Sequence, residues 1–282
     1  AQDYARELNQ LVAHCLLPDS AGVTPSDFPL AMLDPSQLDA LGLPWADVQD
    51  LYPLSPMQQG MLFHSLLEQQ GGDYINQLSV SVQGLAPERF REAWQAVVQR
   101  HDILRSGFLW QGGLVQPLQW VRKQVQLPCR EIDLRGHEDL DAALTRLADA
   151  EREQGFDLAQ APLLRLTLAR TGDDRYQLIY TSHHILLDGW SNSQLLGEVL
   201  QHYAGQAVHS LNGRYSDYIG WLQRQDKRVS EAFWRTQFAT LDEPTWLSRA
   251  LKCAATGQSG QGEFKWRLDA AITEQLHGFA RQ

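Results

Sequence analysis

Apolar positions recur along this chain in two rhythms, and their order predicts its layers. A helical period runs through residues 3–15, with Leu8, Leu11, Val12 and Cys15 on one stripe, and through residues 57–68, where Met61, Leu62, Ser65 and Leu66 share a face. Ser55-Pro56 ahead of that second run reads as a helix start, a hydroxyl N-cap followed by proline at the first helical position. The period returns over residues 87–99, with Phe90, Trp94, Val97 and Val98 as the stripe, and then over 140–152, 191–203, 215–224 and 230–238. Between these lie strand-like runs at 74–82, where Leu78, Val80 and Val82 alternate onto one face, and at 103–110, 114–121, 129–132, 163–169 and 176–182. Helices and strands in mixed order predict an α/β layered fold.

Two stretches break the rhythm. Residues 17–48 hold Pro18-Asp19-Ser20-Ala21-Gly22 and Thr24-Pro25-Ser26-Asp27-Phe28-Pro29, whose prolines deny helix continuation, and read as a linker. Its apolar residues Phe28, Leu30, Leu33, Leu38 and Leu41 are available to dock on a neighbour. Residues 253–262 are rich in glycine and serine and read as a mobile loop, and 263–282 as one strand and the start of a helix, with no sign of a natural domain end. The main domain is expected to begin near Val48.

Composition narrows the function classes. The 43% apolar content of the 282 residues supports a sizeable core. A net charge of −10 argues against nucleic acid and against an anionic membrane surface as partners. Cys15, Cys129 and Cys253 are odd in number and far apart, without zinc spacing or a disulfide framework, which suits a reducing compartment. With no signal-like segment and no apolar run long enough for a membrane span, a soluble, cytoplasmic protein is expected. Dinucleotide, P-loop and nucleophile-elbow motifs are absent, as are internal repeats.

The stretch that draws attention chemically is His183-His184-Ile185-Leu186-Leu187-Asp188-Gly189-Trp190-Ser191, at the end of the apolar run 176–182. Adjacent strand residues point to opposite faces, so at most one histidine faces a given cleft and the other packs into structure. On spacing alone the pair reads equally as two surface or core imidazoles. A metal site is disfavoured, because adjacent histidines lack the i, i+4 spacing that puts two ligands on one helical face and no third ligand is evident. Asp188 is placed to fold back toward the histidines or to pair with a cation elsewhere, and Gly189 suggests a positive φ or a close approach.

SHHILLDGWS resembles the His-His-x-x-x-Asp-Gly motif of the condensation-domain superfamily of nonribosomal peptide synthetases, whose fold is that of chloramphenicol acetyltransferase. Three further stretches agree in order and spacing. YPLSPMQQGMLFHSLL (52–67) is similar to the family's first helix, RHDILRSGF (100–108) to its Arg-His-x-x-Leu-Arg-x-x-Phe motif, and YSDYIGW (215–221) to the aromatic-rich motif after the active site. Each of these three, read by itself, is ordinary core packing; together with the histidines they make a collinear set covering about residues 48–282.

The resemblance implies peptide-bond formation between two thioesters, an upstream aminoacyl or peptidyl donor and a downstream aminoacyl α-amine. Both would ride on the 4′-phosphopantetheine of donor and acceptor peptidyl carrier proteins, with no cofactor or metal bound by the domain itself. It further implies that His184 lies in the cleft and His183 supports it. Asp188 and Gly189 would be structural, Asp188 pairing with Arg105 or Arg100, and Trp190 and Ser191 would line the substrate channel. The wording LSPMQQGMLFHSLL is similar to domains that accept a D-configured donor. ELNQLVAHCLLPDSAGVTPSDFPLAMLDPSQLDAL resembles the tail and linker after an epimerization domain.

The expected organisation is therefore a tail of a preceding domain such as an epimerization domain (1–16), a linker (17–48), the N-terminal lobe (49–225) and a truncated start of the C-terminal lobe (226–282). An adenylation domain is expected downstream. The alternatives are an epimerization domain of the same superfamily, or a non-catalytic half-domain that serves only as a carrier-protein docking or structural unit.

Overall fold

A computed structural model describes residues 2–16, 22–67, 74–208, 213–243 and 266–281. Two units emerge, Ala1–Gln225 and Asp226–Gln282. The expected glycine- and serine-rich loop at 253–262 lies outside the described residues, as does most of the strand expected just after it.

The first unit is built on two sheets. One is a three-stranded antiparallel sheet in the order β1 (Val48–Pro53), β4 (Leu118–Arg122), β3 (Ser106–Leu109). The other has four strands in the order β2 (Ile75–Gln83), β7 (Arg175–His183), β6 (Leu164–Arg170), β5 (Cys129–Asp133), with only the β5–β6 pair parallel. Around them run α1 (Gln2–Cys15), α2 (Pro35–Ala40), α3 (Pro56–Leu67), α4 (Pro87–Arg100), α5 (Leu140–Glu153), α6 (Gly189–Ala204) and α7 (Tyr215–Gln223). Two strand expectations shorten. Residues 103–105 of the run at 103–110 belong to a 3₁₀ turn, Asp102–Arg105, before β3, and the run at 114–121 becomes strand only from Leu118.

The stripe on α4 makes the main core. Phe90, Trp94, Val97 and Val98 are all buried, and the Trp94 ring lies 4.9 Å from that of Tyr180 on β7. Fully burying side chains of this size contributes several kcal/mol, about 3–5 for a tryptophan truncated to alanine. The α3 stripe is only half used, since Leu62 is buried but Leu66 is exposed. The start of α3 follows its sequence closely. The Ser55 hydroxyl accepts the Gln58 backbone N–H at 3.3 Å and the Gln58 side-chain carbonyl accepts the Ser55 backbone N–H at 3.0 Å, a reciprocal cap.

The segment with linker composition is a structural layer. Phe28 and Leu38 are buried with Val48, Leu51, Leu118 and Trp120 on the three-stranded sheet. Asp34 caps α2 by accepting the Gln37 N–H at 2.8 Å, which lets a six-residue helix persist. Leu30 packs beside Tyr52, Val121 and Ile219, and its carbonyl accepts from Gln223 of α7 at 2.9 Å. Gly107 shows why the three-stranded sheet sits tightly on its neighbours, because a Cβ there would lie 2.6 Å from both the Ala159 carbonyl and the Trp120 indole nitrogen. By contrast, the apolar stripe of α1 is uncovered, with Leu8, Leu11 and Val12 exposed.

The second unit contains α8 (Lys227–Gln237) and α9 (Ala270–Ala280), capped by Asp226 and Asp269. Phe233 and Trp234 of α8 and Phe279 of α9 are exposed. Among the described residues no helix is long and apolar enough to cross a membrane.

Candidate active site

Strand β7 delivers the two histidines to opposite faces. The β2–β7 ladder ends with Ile75 opposite His183, and one further bond follows, from the His184 N–H to the Tyr74 carbonyl at 2.7 Å. The His183 side chain is 4% exposed. Its Nδ1 accepts the Ile185 N–H at 3.1 Å, so the neutral ring carries its proton on Nε2, which lies 3.5 Å from the Ser65 hydroxyl of α3. Burial, with the neighbouring His184 adding to it, pushes the His183 pKa down from 6.5 to about 4. His183 is thus a neutral packing group at physiological pH. His184 is half-buried on the other face, with Nδ1 2.8 Å from the Asn76 amide nitrogen.

Asp188 does something other than expected. Its carboxylate caps α6, accepting the Ser191 N–H at 2.7 Å, and that hydrogen bond holds it below the usual carboxylate range. The expected pairing with Arg105 or Arg100 does not form: Arg105 meets Asp102 at 2.7 Å and Arg100 meets Glu198 at 3.4 Å. The physical reason is the unsatisfied N–H groups of the first helical turn, which recruit an aspartate directly ahead of them. Being exposed, the carboxylate has no need of a cation. Gly189 also departs from expectation. It is the first residue of α6, has no positive φ, and a Cβ there would meet nothing within 4 Å. Trp190 and Ser191 follow on the same turn, the Trp190 side chain 78% exposed.

Arg105 instead anchors a separate cluster. Its guanidinium donates to Gln49 of β1 at 2.7 Å, to Asp102, and to the backbone carbonyls of Arg122 and Lys123. Arg214, ahead of α7, reaches the second Asp102 oxygen at 2.7 Å. Burial lowers the Arg105 pKa, and Asp102 opposes that fall. His101 and Arg100 share Glu198 of α6, His101 at 2.7 Å. The two arginines of RHDILRSGF therefore brace elements around the site and do not touch the histidine loop's aspartate.

Four residues near the histidines escaped sequence reading in these roles: Tyr74, Asn76, Ser65 and Gln58. Gln58 donates to the Ile185 carbonyl at 3.3 Å and pairs with Gln119 at 3.1 Å, tying α3 to both the histidine loop and β4. The Ser55-x-x-Gln58 spacing is the signal that points to its reciprocal cap; its long-range bonds leave no such trace. Asn76 becomes adjacent to His184 only through the β2–β7 register, as a diagonal neighbour on one face. Among the described residues no group of three or more His, Cys, Asp or Glu side chains is placed to hold a metal ion.

With this geometry established, comparison with known proteins defines the class. The condensation-domain family model matches residues 48–282. A linear gramicidin synthase of Brevibacillus parabrevis is 41% identical across 100% of this chain and 6% of that protein. Bacitracin synthase 3 of Bacillus licheniformis is 35% identical across 99% of this chain and 4% of its own length. Among solved structures, the starter condensation domain of the rhizomide synthetase RzmA superposes with a TM-score of 0.61 at 22% identity, covering 70% of this chain and 50% of that one. The condensation domain from Monacolin K polyketide synthase MokA gives 0.63 at 18%, covering 83% and 56%. The chain belongs to the condensation-domain family of nonribosomal peptide synthetases, an acyl-transferring enzyme family with the chloramphenicol acetyltransferase-like α/β fold. It spans only 4–6% of these two curated relatives and about half of each of these two solved chains.

Proposed function

We propose that this chain carries part of a site that joins an upstream aminoacyl or peptidyl thioester to the α-amine of a downstream aminoacyl thioester. Both substrates are held on the 4′-phosphopantetheine arms of donor and acceptor peptidyl carrier proteins. The observation that carries the reading is the division within the histidine pair, in a chain of this family. His183 is neutral and enclosed, while His184 keeps partial exposure on the opposite face.

The reaction forms a C–N bond and breaks a C–S bond, and the proton lost by the amine ends on the departing thiol. A free α-amine has a pKa of about 8, so a useful fraction is unprotonated near neutral pH and no strong base is needed to create the nucleophile. His184 is assigned to the charge that develops as the amine attacks, and His183 to its support. Asp188 and Gly189 form the helix start behind the loop, and exposed Trp190 and Ser191 are assigned to the channel wall. Arg105 and Arg100 brace the surrounding elements. Orientation of two tethered substrates supplies much of the rate.

A D-configured donor, an epimerization domain upstream and an adenylation domain downstream are supported by the wording of residues 54–67 and of the N-terminal tail. A cytoplasmic location is supported by composition and cysteine usage.

The test is a condensation assay in the full-length synthetase with loaded donor and acceptor carriers. His184→Ala is expected to lower kcat by about 10²–10³-fold; full retention of rate overturns the role given to His184. Equal turnover of D- and L-donors overturns the stereochemical assignment. A second reading, a folded but non-catalytic docking or structural unit, draws on the exposed Phe233, Trp234 and Phe279. Dipeptidyl product from the 282-residue chain alone eliminates it.

A further inference from the structure

We infer that Asn76 is a positioning residue that sets the tautomer of His184, leaving Nε2 protonated, so that the free edge of the imidazole is a hydrogen-bond donor. The inference rests on the site assignment above and adds which form of the ring is presented to the reacting atoms.

The ring is fixed through its side chain and through its backbone. The Asn76 amide nitrogen lies 2.8 Å from His184 Nδ1. An amide nitrogen carries only donors, so this contact is a hydrogen bond only when Nδ1 offers its lone pair, and a neutral imidazole then carries its proton on Nε2. The backbone holds the pair in place. Tyr74 accepts the His184 N–H at 2.7 Å and adopts a left-handed conformation, φ 65°, which is unusual for a bulky non-glycine residue. Such a conformation persists only where its surroundings impose it. Here it comes directly before β2, and the Tyr74 ring lies 6.2 Å from that of His183. The end of β2 is thereby fixed against both histidines, and Asn76 is set diagonally from His184 on the shared face.

The two histidines end up with the same tautomer by different means. His183 receives a backbone N–H at Nδ1, which no side-chain substitution removes, whereas His184 receives a side-chain amide. The tautomer of His184 is therefore tunable at one position. The chemical consequence follows from proton accounting. With Nε2 protonated, His184 donates to the carbonyl oxygen as it becomes an oxyanion, and it does not remove the amine's proton. That proton passes to the departing sulfur, whose thiol has a pKa of about 8.5, close to that of the amine, so the transfer needs no stronger base. The amide forms, the thiol leaves protonated, and the imidazole ends as it began.

Asn76→Asp inverts the arrangement, because an ionised carboxylate only accepts and therefore demands a proton on Nδ1. Asn76→Leu removes the contact without demanding either tautomer. Nitrogen-15 NMR of His184 in the 282-residue chain at neutral pH reads the assignment directly. Expected is a pyrrole-like Nε2 and a pyridine-like Nδ1 in the wild type, in a ratio of up to about tenfold for a hydrogen bond of this exposure, and the reverse in Asn76→Asp. A pyrrole-like Nδ1 in the wild type overturns the inference without recourse to any variant.

In the full-length synthetase, Asn76→Asp is expected to lower kcat by about tenfold, as the donor tautomer falls from about nine-tenths to about one-tenth of the rings, with KM little changed. Asn76→Leu should lose about twofold or less, because the donor tautomer falls only to about half of the rings. An Asn76→Asp enzyme as fast as the wild type overturns the donor role. Absence of product from the wild-type synthetase would instead overturn the proposed function and leave the NMR assignment standing.

Discussion

Around Arg105, acceptors from β1, β4 and the 3₁₀ turn converge on a guanidinium that is 2% exposed; around His184, one amide and one backbone carbonyl hold an imidazole that stays half-buried. Both regions were marked by short polar motifs in the sequence, and the motifs alone do not say which is which. The difference is one of completeness. A buried charge is tolerable only when most donors and acceptors around it are matched: both terminal nitrogens of Arg105 are paired, its Nε alone is without a partner among the described residues, and Arg214 closes the far side of Asp102. His184, by contrast, is held at Nδ1 and at its backbone N–H. The Glu151 cluster, with Arg165 at 2.6 Å and Thr167 at 2.8 Å, repeats the first pattern on the other sheet. Burial alone would raise the Glu151 pKa, and these hydrogen bonds overcome it and hold the carboxyl below its usual value.

The largest test of this contrast is Arg105→Met. Removing the guanidinium leaves Asp102 with Arg214 alone and takes the donor away from Gln49 and the Arg122 carbonyl, and a loss of about 3 kcal/mol is expected in denaturant unfolding of the 282-residue chain. A loss smaller than that of Asp188→Ala would abolish the distinction drawn between the two regions.

His183 supplies the next effect. The unfolded ring titrates near 6.5 and the folded ring near 4, so between those values the unfolded chain binds a proton that the native chain refuses. Stability therefore rises with pH across that window. It is complete above 6.5 and falls as pH drops toward 4, by about 3 kcal/mol. Comparison of unfolding curves for the wild type and His183→Gln isolates it, since Glu151 contributes a similar acid loss at lower pH in both. Equal pH slopes for the two proteins would remove His183 from the buried class.

Smaller effects are expected at the start of α6. Asp188→Ala should cost about 1 kcal/mol, a lost N-cap, far less than loss of a buried ion pair. A cost like that of Arg105→Met would restore the expected salt bridge. Gly189→Ala should be neutral or stabilising by about 0.4–1 kcal/mol in thermal unfolding, because the backbone is helical and a Cβ has room. Destabilisation there would show that the glycine is required by the fold.

Patterns confined to one element were legible in the sequence. The stripe of Phe90, Trp94, Val97 and Val98, the strand that ends in the histidines, and the cap at Ser55 each depend on residues a few positions apart. Strand alternation indicated that the two histidines would differ in burial, though not which of them would be enclosed. What failed needed three-dimensional register or a competing local role. Asp188 was assigned a distant arginine although Asp188-Gly189-Trp190-Ser191 is itself a helix-start signal, and the nearer demand won. Asn76 and Tyr74 were invisible as partners of His184 because only the β2–β7 pairing brings them there. The layer at 22–47 has the prolines and polar turns of a spacer; Phe28 and Leu38 were legible as residues that could dock, but not that they would be covered by the three-stranded sheet of the same unit.

That layer bears on where domains of this kind can be exchanged. Residues 22–47 are the lid of the three-stranded sheet, so a recombination boundary drawn at residue 48, where the family match begins, would give one parent the sheet and the other its cover. A hybrid joined there must either reassemble the interface of Phe28 and Leu38 with Leu51 and Trp120 from foreign sequence or present that greasy face to solvent. A junction placed ahead of residue 22 keeps lid and sheet as one heritable piece, with the Leu30–Gln223 hydrogen bond as its clasp.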